Sequence, residues 1–163
     1  NPRHVEVKNL VDKHGNVVHL GERDCTIQRR FQKVIEESPC PVLTPEKRNE
    51  VCESAVRLAA HVKYDSVGTV EYLYDQDTER FYFMEMNTRI QVEHPVSELR
   101  TGIDLISEQI KSAANFELSL KQDDIKFSGH SIECRINAED PVTSAPCPGE
   151  IVHYHRPGGI GVR

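Results

Sequence analysis

The chain has 163 residues, of which 37% are hydrophobic and 28% are charged, a composition that predicts one globular unit with a hydrophobic core. Its net charge of −6 argues against a nucleic-acid partner or an acidic membrane surface, and no stretch approaches the roughly 18 consecutive apolar residues of a membrane span. Five cysteines without a C-x-x-C pair predict reduced thiols rather than disulfides or a zinc site. We therefore expect a cytoplasmic location, or the mitochondrial matrix if the source is eukaryotic.

The N-terminal part of the chain predicts a hairpin followed by an ambiguous segment. Residues 4–12 alternate weakly between polar and apolar side chains, residues 14–16 (HGN) form a turn signal, and residues 17–20 resume as a strand. Residues 22–33 are dense in charge and predict neither a helix nor a strand.

A helix is predicted near residues 45–62. Thr44 can cap its first turn, and Pro45 suits the first helical position. Apolar residues then recur at helical spacing, which is the main signal for the helix. They are Val51, Ala55, Leu58, Ala59 and Val62.

A hairpin and a second helix are predicted next. Residues 69–74 and 81–87 are rich in aromatic and β-branched side chains, and the polar residues 75–79 between them predict a hairpin loop. The helix begins near Thr101, with Asp104 as its capping-box partner. Its apolar stripe comprises Ile103, Ile106, Ile110 and Ala114.

The remainder of the chain predicts strands at residues 131–137 and 151–155 and a turn at residues 157–159. Many strands with two helices indicate an α+β fold with a mostly antiparallel sheet. Because the chain does not begin with Met and ends abruptly at Arg163, we expect it to be a piece of a longer protein.

The most informative stretch is residues 85–95, which read EMNTRIQVEHP. In an extended chain successive side chains point to opposite faces, so one face is predicted to be polar and the other apolar. The polar residues are Glu85, Asn87, Arg89, Gln91 and Glu93, and the apolar ones are Met84, Met86, Ile90 and Val92. The eight steps from Glu85 to Glu93 span about 26 Å when extended, too far for one small ligand. We therefore expect a bend after Asn87 and two linked sites.

The first of these sites is predicted to hold a metal ion. If Tyr74 faces Tyr82 in the hairpin, then Glu71 faces Glu85, with Cβ atoms about 5 Å apart. Two like charges at this distance repel each other, and a divalent cation would remove the repulsion. The carboxylates of Glu71 and Glu85 and the amide oxygen of Asn87 form a set of hard oxygen ligands suited to Mg²⁺ or Mn²⁺. The remaining ligands of such an ion are commonly phosphate oxygens and water. Two solvated glutamates on an exposed hairpin fit the spacing equally well.

The second site is predicted to hold an anion and a base. Arg89 presents a planar donor fork for a carboxylate-like or phosphate anion, Gln91 adds a neutral donor and acceptor, and Glu93 can act as a base. For Arg89 and for Glu93, each taken separately, a surface ion pair is the commoner alternative. A separate basic cluster has two interpretations. It could line a channel for phosphate or another anion, or it could be the solvated face of a charged helix, and composition favours the helix face. The cluster comprises Arg29, Arg30 and Lys33.

Several motifs along the whole chain share one pattern. They are His4 after Pro2-Arg3, residues 22–25 (ERDC), 28–30 (QRR), 32–33 (QK), 68–71 (GTVE), 85–95 and 133–140 (ECRINAED). With them the chain resembles the biotin carboxylase component of biotin-dependent carboxylases, a member of the ATP-grasp superfamily. The stretch at 85–95 is the most specific part, because other ATP-grasp enzymes share the Glu-x-Asn element but not the RIQVEHP that follows.

This resemblance implies a fold and a reaction. Residues 1–115 would be the C-terminal half of an ATP-grasp domain, with helices flanking the sheet, and residues 116–163 the start of the biotin carboxylase C-terminal domain. The implied reaction consumes ATP with Mg²⁺ or Mn²⁺. Bicarbonate attacks the γ-phosphate to give carboxyphosphate, and its carbon dioxide is transferred to biotin on a carrier. Implied partners are the biotin carboxyl carrier and the carboxyltransferase component, and the intact parent would be a homodimer.

The resemblance also implies residue roles. Glu71, Glu85 and Asn87 would hold the metal, and the two glutamates would also contact ATP, as would His4 and Gln28. The bicarbonate pocket would comprise Lys33, Arg89, Gln91 and the backbone of Val92. Glu93 would be the base that deprotonates bicarbonate, and Arg135 would steady the enolate-like form of biotin. The expected catalytic residues are Lys33, Arg89, Glu93 and Arg135.

Three departures and two rival functions qualify the resemblance. Phe31 stands where the family commonly has His and Ile160 where an aromatic is common, while the glycine-rich lid of the family would lie before residue 1. The chain alone is therefore expected to be inactive. The rivals are another bicarbonate-activating ATP-grasp ligase, such as a carbamoyl-phosphate-type enzyme, and a non-catalytic derivative domain.

Overall fold

Six strands form one antiparallel sheet in the computed structural model, which describes residues 2–163. The strands are β1 (Pro2–Val11), β2 (Val17–Arg29), β3 (Gln32–Ser38), β4 (Ser66–Asp75), β5 (Arg80–Asn87) and β6 (Ser131–Cys134), in the order β5-β4-β1-β2-β3-β6. The helices are α1 (Pro45–His61), α2 (His94–Thr101) and α3 (Leu105–Ala113), with a short 3₁₀ turn at Gln122–Asp124. The predicted α+β class with an antiparallel sheet is confirmed.

The central strand β1 separates an apolar face of the sheet from a polar one. Val5 and Val7 are fully buried on the face that α1 covers, and each such side chain contributes roughly 1.5–3 kcal/mol of hydrophobic stabilisation. Glu6 and Lys8 alternate with them and are also fully buried, so each needs polar partners on its side of the sheet. Glu6 is ion-paired with Arg23 and Lys33, whereas Lys8 donates to the side chains of Thr69 and Gln91. The sheet therefore places one hydrophobic core and one polar site back to back.

Helix α1 begins and ends close to the predicted positions. The Thr44 hydroxyl accepts a hydrogen bond from the Lys47 backbone N–H (3.3 Å), and Pro45 occupies the first turn. The helix ends at His61, and Val62 is its C-cap rather than part of the stripe. The buried face that packs on the sheet comprises Val51, Cys52, Ala55 and Ala59.

The β4–β5 hairpin pairs Glu71 with Glu85, as predicted, although the register assumed for it is wrong. Tyr74 faces Phe81, not Tyr82, because the register shifts by one residue between Glu71 and Tyr72. The extra residue of this bulge lies on β5. Because of this extra residue, the one-residue offset at Tyr74 does not extend to the carboxylates, and Glu71 lies directly opposite Glu85.

The charged segment at residues 22–33 is a strand and a tight turn, so the predicted alternative of a solvated helix face is wrong. Strand β2 continues to Arg29, and β3 begins at Gln32, directly opposite. Arg30 and Phe31 form the two-residue connection, with φ of 50° and 63°. Positive φ at both positions is the geometry of a type I′ hairpin turn.

Two helices occupy the region where one was predicted. Helix α2 ends at Thr101, and Gly102 follows it with a left-handed φ of 72°. Asp104 is the N-cap of α3, since its carboxylate accepts from the Ser107 N–H (2.8 Å), so its predicted role inside the helix is wrong. The predicted stripe is wrong at Ile106, Ile110 and Ala114, which are all exposed, the first two to 40% and 65%. A second buried cluster instead comprises Leu10, Val18, Leu20, Val67, Leu105 and Ile125.

The C-terminal segment is less regular than predicted. Strand β6 stops at Cys134, residues 151–155 form no strand, and the last turn lies at residues 159–161 rather than 157–159. None of the helices within residues 2–163 is long and apolar enough to cross a membrane. All five cysteines are free thiols, as predicted.

Candidate functional site

An open cleft of about 680 Å³ lies on the polar face of the sheet. It is formed by β1, the β2–β3 hairpin, β4, β5, the segment before α2, and the residue that follows β6. All the predicted site residues line it: His4, Gln28, Lys33, Glu71, Glu85, Asn87, Arg89, Gln91, Val92, Glu93 and Arg135. Four further lining residues are Arg30, Phe31, Gln32 and Met84.

The polar motif bends where its length required a bend. Strand β5 ends at Asn87, residues 88–93 are irregular, and α2 begins at His94. The predicted apolar face is wrong at two positions, since Met84 is 46% and Val92 61% exposed. The bulge and the bend interrupt the strict alternation of an extended chain, so these side chains reach the cleft.

The near end of the cleft carries the two opposed carboxylates. The Asn87 side-chain nitrogen donates to Glu71 Oε1 (2.8 Å) and to Glu85 Oε1 (3.2 Å), so the amide lies between them. Rotating the amide by half a turn presents Oδ1 there instead. Two carboxylates and an amide oxygen are the hard donor set that Mg²⁺ and Mn²⁺ prefer, so these residues fit a divalent cation.

A relay of hydrogen bonds orients Glu71. The Gln28 side-chain N–H donates to His4 Nδ1 (2.6 Å), which leaves the proton of the imidazole on Nε2, facing Glu71 Oε2 at 2.6 Å. Burial raises the pKa of Glu71, but the His4 hydrogen bond and the Lys33 charge outweigh it and lower the pKa below the usual value. Glu71 is therefore held as a carboxylate.

Arg89 and Gln91 differ sharply in how free their side chains are. The Arg89 guanidinium is exposed and bonds only the Ile90 carbonyl (3.2 Å). Among residues 2–163 it meets no carboxylate, so the alternative of a surface ion pair is wrong for Arg89. The Gln91 amide is buried, with its N–H on Glu71 Oε1 (3.0 Å) and its oxygen accepting from Arg23 (2.8 Å). Arg89 is thus open to an incoming anion, whereas Gln91 is already engaged.

The far end of the cleft is a charge cluster around Glu93, which is only 3% exposed. Its Oε1 accepts from Lys33 Nζ (2.9 Å) and its Oε2 from the Arg135 guanidinium (3.2 Å). Lys33 also bonds Glu6 (2.6 Å) and Glu71 (3.0 Å). Burial lowers the pKa of Lys33, but Glu6 and Glu93 override it and raise the pKa above its usual value, so the ammonium persists.

Beneath the cleft lies a buried ion pair that was not predicted. Arg23 donates through Nε to Glu6 Oε1 (2.8 Å), and both side chains are fully buried. Burial raises the pKa of Glu6, yet Arg23 and Lys33 hold it well below its usual range. The weak polar–apolar alternation of β1 was the available signal, because His4, Glu6 and Lys8 share one face.

A second possible group of metal ligands is Glu6, Cys25 and Glu93, whose donor atoms lie within 4.8 Å of one another. Lys33 already neutralises both carboxylates there. Burial and the neighbouring Glu6 raise the pKa of the Cys25 thiol well above its usual value, and a thiol is a poor ligand. The chemistry of the donor set therefore favours the Glu71, Glu85 and Asn87 group.

Comparisons with known proteins give the family to which the chain belongs. Residues 1–121 match the family model for the carbamoyl-phosphate synthase L chain, ATP binding domain. Biotin carboxylase 1 of Bacillus subtilis (strain 168) is 60% identical over 162 residues, which cover 99% of this chain and 36% of that protein. The biotin carboxylase of Haemophilus influenzae is 55% identical over 163 residues, or 100% of this chain and 36% of that protein.

A solved structure gives the same result. It is the biotin carboxylase domain dimer of the 2-oxoglutarate carboxylase of Hydrogenobacter thermophilus, in complex with MgADP, ADP and bicarbonate. It is 53% identical to this chain, with a TM-score of 0.94 over 99% of this chain and 36% of that chain. The chain thus spans little more than a third of the length of that structure and of the curated relatives it matches.

Proposed function

Since this chain belongs to the family of the carbamoyl-phosphate synthase L chain ATP-binding domain, we propose that it supplies part of the active site of a biotin carboxylase. The proposed reaction is the ATP-dependent carboxylation of biotin by bicarbonate. A bicarbonate oxygen attacks the γ-phosphorus, ADP leaves, and carboxyphosphate forms. The C–O bond of carboxyphosphate then breaks, its carbon dioxide bonds to a ureido nitrogen of biotin, and the released phosphate takes the proton of that nitrogen.

The phosphate end of the proposed site is the carboxylate pair on the β4–β5 hairpin. Glu71, Glu85 and Asn87 would hold Mg²⁺ or Mn²⁺, which when bound screens the negative charge that spreads over a transferring phosphoryl group. His4 and Gln28 face the same end and fix the direction of the Glu71 carboxylate. This end therefore suits the phosphates of ATP.

The bicarbonate end is formed by Arg89, Lys33 and Glu93, with the backbone of Val92 beside them. The open fork of Arg89 can bind two oxygens of a small planar anion. Glu93, held by Lys33 at 2.9 Å, would take the proton of bicarbonate. Gln91 has its amide engaged by Glu71 and Arg23, so we assign it a supporting contact rather than a free donor.

Arg135 would act on biotin. It lies on the opposite side of Glu93 from Lys33 and contacts Glu93 Oε2 at 3.2 Å. A guanidinium there can stabilise the negative charge that develops on the ureido oxygen when the neighbouring nitrogen attacks. Biotin would arrive on a carrier domain, and a carboxyltransferase would use the product.

The rest of the assignment follows the relatives. We propose a division between an ATP-grasp part (residues 1–115) and the start of a second domain (116–163); α3 ends at Ala113, although β6 still pairs with β3 of the first part. A homodimer is supported by the dimeric state of the Hydrogenobacter thermophilus structure. A cytoplasmic location, or an organellar one in a eukaryote, is also a proposal.

One observation carries the proposal: the cleft joins an oxygen-rich cation site to an unpaired guanidinium and a buried carboxyl held by two cations. The test uses the full-length protein with ATP, radiolabelled bicarbonate and free biotin. We expect ATP cleavage to require bicarbonate and acid-labile label to appear on biotin. Glu93→Gln should abolish both, whereas Glu53→Gln on the exposed face of α1 should change neither. ATP cleavage that is indifferent to bicarbonate would contradict the proposal.

The matched family model favours a second candidate, a carbamoyl-phosphate-type enzyme that also activates bicarbonate. The two functions share the phosphate end and differ at Arg135. If biotin fails to stimulate bicarbonate-dependent ATP cleavage while ammonia or glutamine stimulates it, the second candidate replaces the first. If neither stimulates it and MgATP does not bind, the chain is a non-catalytic derivative.

A further inference from the structure

Glu36, a fully buried residue on β3, contacts the proposed biotin-side arginine from behind. The Arg135 guanidinium donates to Glu36 Oε1 at 3.3 Å through the same nitrogen that donates to Glu93 Oε2 at 3.2 Å. Glu36 also lies directly opposite Glu133 in the β3–β6 ladder, where Cβ atoms are about 5 Å apart. One guanidinium is therefore shared by Glu36 and Glu93, and Glu133 is a third acidic side chain next to Glu36.

The hydrogen bonding of this cluster is incomplete. Glu36 Oε2 and Arg135 Nε are both buried and have no hydrogen-bond partner among the described residues. Charged groups around the cluster are Glu133 and Arg135 near β6, Glu93 before α2, Glu6 on β1, Arg23 on β2 and Lys33 on β3. Arg100 on α2 instead donates to the Ser38 hydroxyl at the end of β3. Lys33 and Arg23 already bond Glu93 and Glu6, and Arg135 is the cation that hydrogen-bonds Glu36.

We propose that Glu36 is a positioning residue that acts through Arg135. Its buried carboxyl accepts from the guanidinium, holds it at the wall of the cleft, and sets how strongly Arg135 is drawn away from Glu93 and the biotin side. This inference rests on the proposed function for its consequence in catalysis, but its geometry is a property of this chain alone.

The protonation of Glu36 gives the arrangement two states. Burial and the nearby Glu93 raise its pKa to about 7, with Arg135 opposing them and Glu133 adding to them. Below that pH the neutral carboxyl competes weakly for Arg135, and Glu93 keeps the guanidinium. Above it the carboxylate pulls Arg135 toward β3. The contact between Arg135 and biotin is therefore expected to weaken as the pH rises through about 7.

The first test compares Glu36→Gln, Glu36→Ala and the control Glu37→Gln in the full-length protein. Gln keeps an acceptor for Arg135 and mimics the neutral carboxyl, whereas Ala removes it. We expect Glu36→Ala to raise KM for biotin at least about tenfold. The kcat/KM for biotin of Glu36→Gln should stay within about threefold of the wild-type value at about pH 6 and exceed it by at least about threefold at about pH 8.5, since only the wild-type side chain ionises. Glu37 bonds the exposed His130, so Glu37→Gln should leave the pH profile of kcat/KM for biotin unchanged.

The second test does not depend on activity. The side-chain carboxyl signal of Glu36 and the Arg135 Nε–H signal are followed by NMR through a pH titration. Both should move with one midpoint near 7, and the Arg135 signal should be flat in Glu36→Gln. Coincident pH profiles for the wild type and Glu36→Gln, or an Arg135 signal that ignores Glu36, would overturn the inference. If ATP cleavage proves indifferent to bicarbonate, the proposed function fails, whereas the NMR test still decides the role of Glu36.

Discussion

Arg89 differs from the other basic residues of the cleft because its side chain makes few contacts in the folded chain. Lys33 and Arg135 are each held by acidic side chains, whereas Arg89 bonds only the adjacent carbonyl of Ile90. A guanidinium that is exposed and free of carboxylates contributes little to stability. Its place beside Glu93 therefore has a better explanation in the anion it would bind.

Arg89→Ala separates function from folding. We expect kcat/KM for bicarbonate to fall by at least about a hundredfold, because charge-assisted contacts to the anion are lost. The free energy of unfolding should change by less than about 0.5 kcal/mol. Steady-state kinetics and urea unfolding of the full-length protein measure both. Arg80→Ala, at the far end of β5, is the matched control, and normal bicarbonate turnover in Arg89→Ala would contradict the assignment.

Glu6 differs from Arg89 in that its substitution should lower the stability of the fold. Glu6→Gln leaves the buried Arg23 charge without its carboxylate, and breaking such a pair costs about 3–5 kcal/mol. The pKa of Glu6 is depressed by Arg23 and Lys33 despite burial. The stability it contributes is therefore present above its unfolded-state pKa and is lost as the pH falls through the lower folded-state value.

Urea unfolding between neutral and acidic pH tests this prediction. The difference in the free energy of unfolding between the wild type and Glu6→Gln should be largest at neutral pH and should disappear as the solution becomes strongly acidic. Glu50→Gln on α1, whose exposed carboxylate pairs with Lys47, should differ from the wild type by less than about 0.5 kcal/mol throughout. A gap that is constant with pH would show that the charge of Glu6 is not the source of the stability.

Glu36 should change stability with the reverse sign. Its pKa is raised from 4.5 to about 7 by burial and Glu93, so the folded state binds more protons than the unfolded state between these values. The free energy of unfolding should therefore fall as the pH rises from 4.5 to about 7, by on the order of 2–3 kcal/mol. Glu36→Gln should abolish this fall and be more stable than the wild type at about pH 8. A variant less stable at that pH would contradict the raised pKa.

The β2–β3 hairpin shows why part of the fold was not visible in the sequence. Helix α1 was predictable because Thr44, Pro45 and a helical apolar stripe agree, and the β4–β5 hairpin has a polar loop between aromatic strands. At Arg30-Phe31 the turn lacks the Asn-Gly or Asp-Gly signal of a type I′ connection, and the flanking strands are charged because they line the cleft. Local propensity was overridden where the site required it.

Replacing both turn residues by Arg30→Asn with Phe31→Gly should stabilise the hairpin. The two positions have φ of 50° and 63°, a region in which each ordinary side chain costs roughly 1–2 kcal/mol. We expect the unfolding midpoint to rise by about 2–6 °C, as measured by differential scanning calorimetry. Gly15→Ala is the opposite control, since Gly15 has φ of 93° with open space around it, and it should lower the midpoint. An unchanged or lowered midpoint in the double variant would show that this turn is not strained.

The charge network extends over the whole chain, and this is what sequence patterns could not supply. The pairing of Glu71 with Glu85 could be predicted because the two residues belong to one hairpin. The Glu6–Arg23–Gln91 contacts join β1, β2 and the segment before α2, which are distant in sequence and meet only after the sheet has formed. The roles of Lys33 and Arg135 came from resemblance to a family for the same reason.

The polar face of the sheet is balanced in charge but open on one side, which limits what the chain can do alone. Its lining includes four basic side chains (Arg30, Lys33, Arg89, Arg135) and three acidic ones (Glu71, Glu85, Glu93). Lys33 is already bonded to three carboxylates, so few positive charges remain for the several negative charges of a nucleotide. Phosphoryl transfer also requires that water be kept from the reacting groups.

We therefore expect the purified 163-residue chain to give no bicarbonate-dependent ATP cleavage, while the full-length protein is active. By calorimetry, MgADP should bind the isolated chain at least about a hundredfold more weakly than it binds the full-length protein, because few positive charges in this cleft are free for the phosphates. Circular dichroism must show that the chain is folded, and the Arg89→Ala chain identifies any contaminating ATPase by giving the same background. Turnover by the isolated chain within about tenfold of the full-length protein, lost in Arg89→Ala, would mean that this cleft alone suffices for phosphoryl transfer.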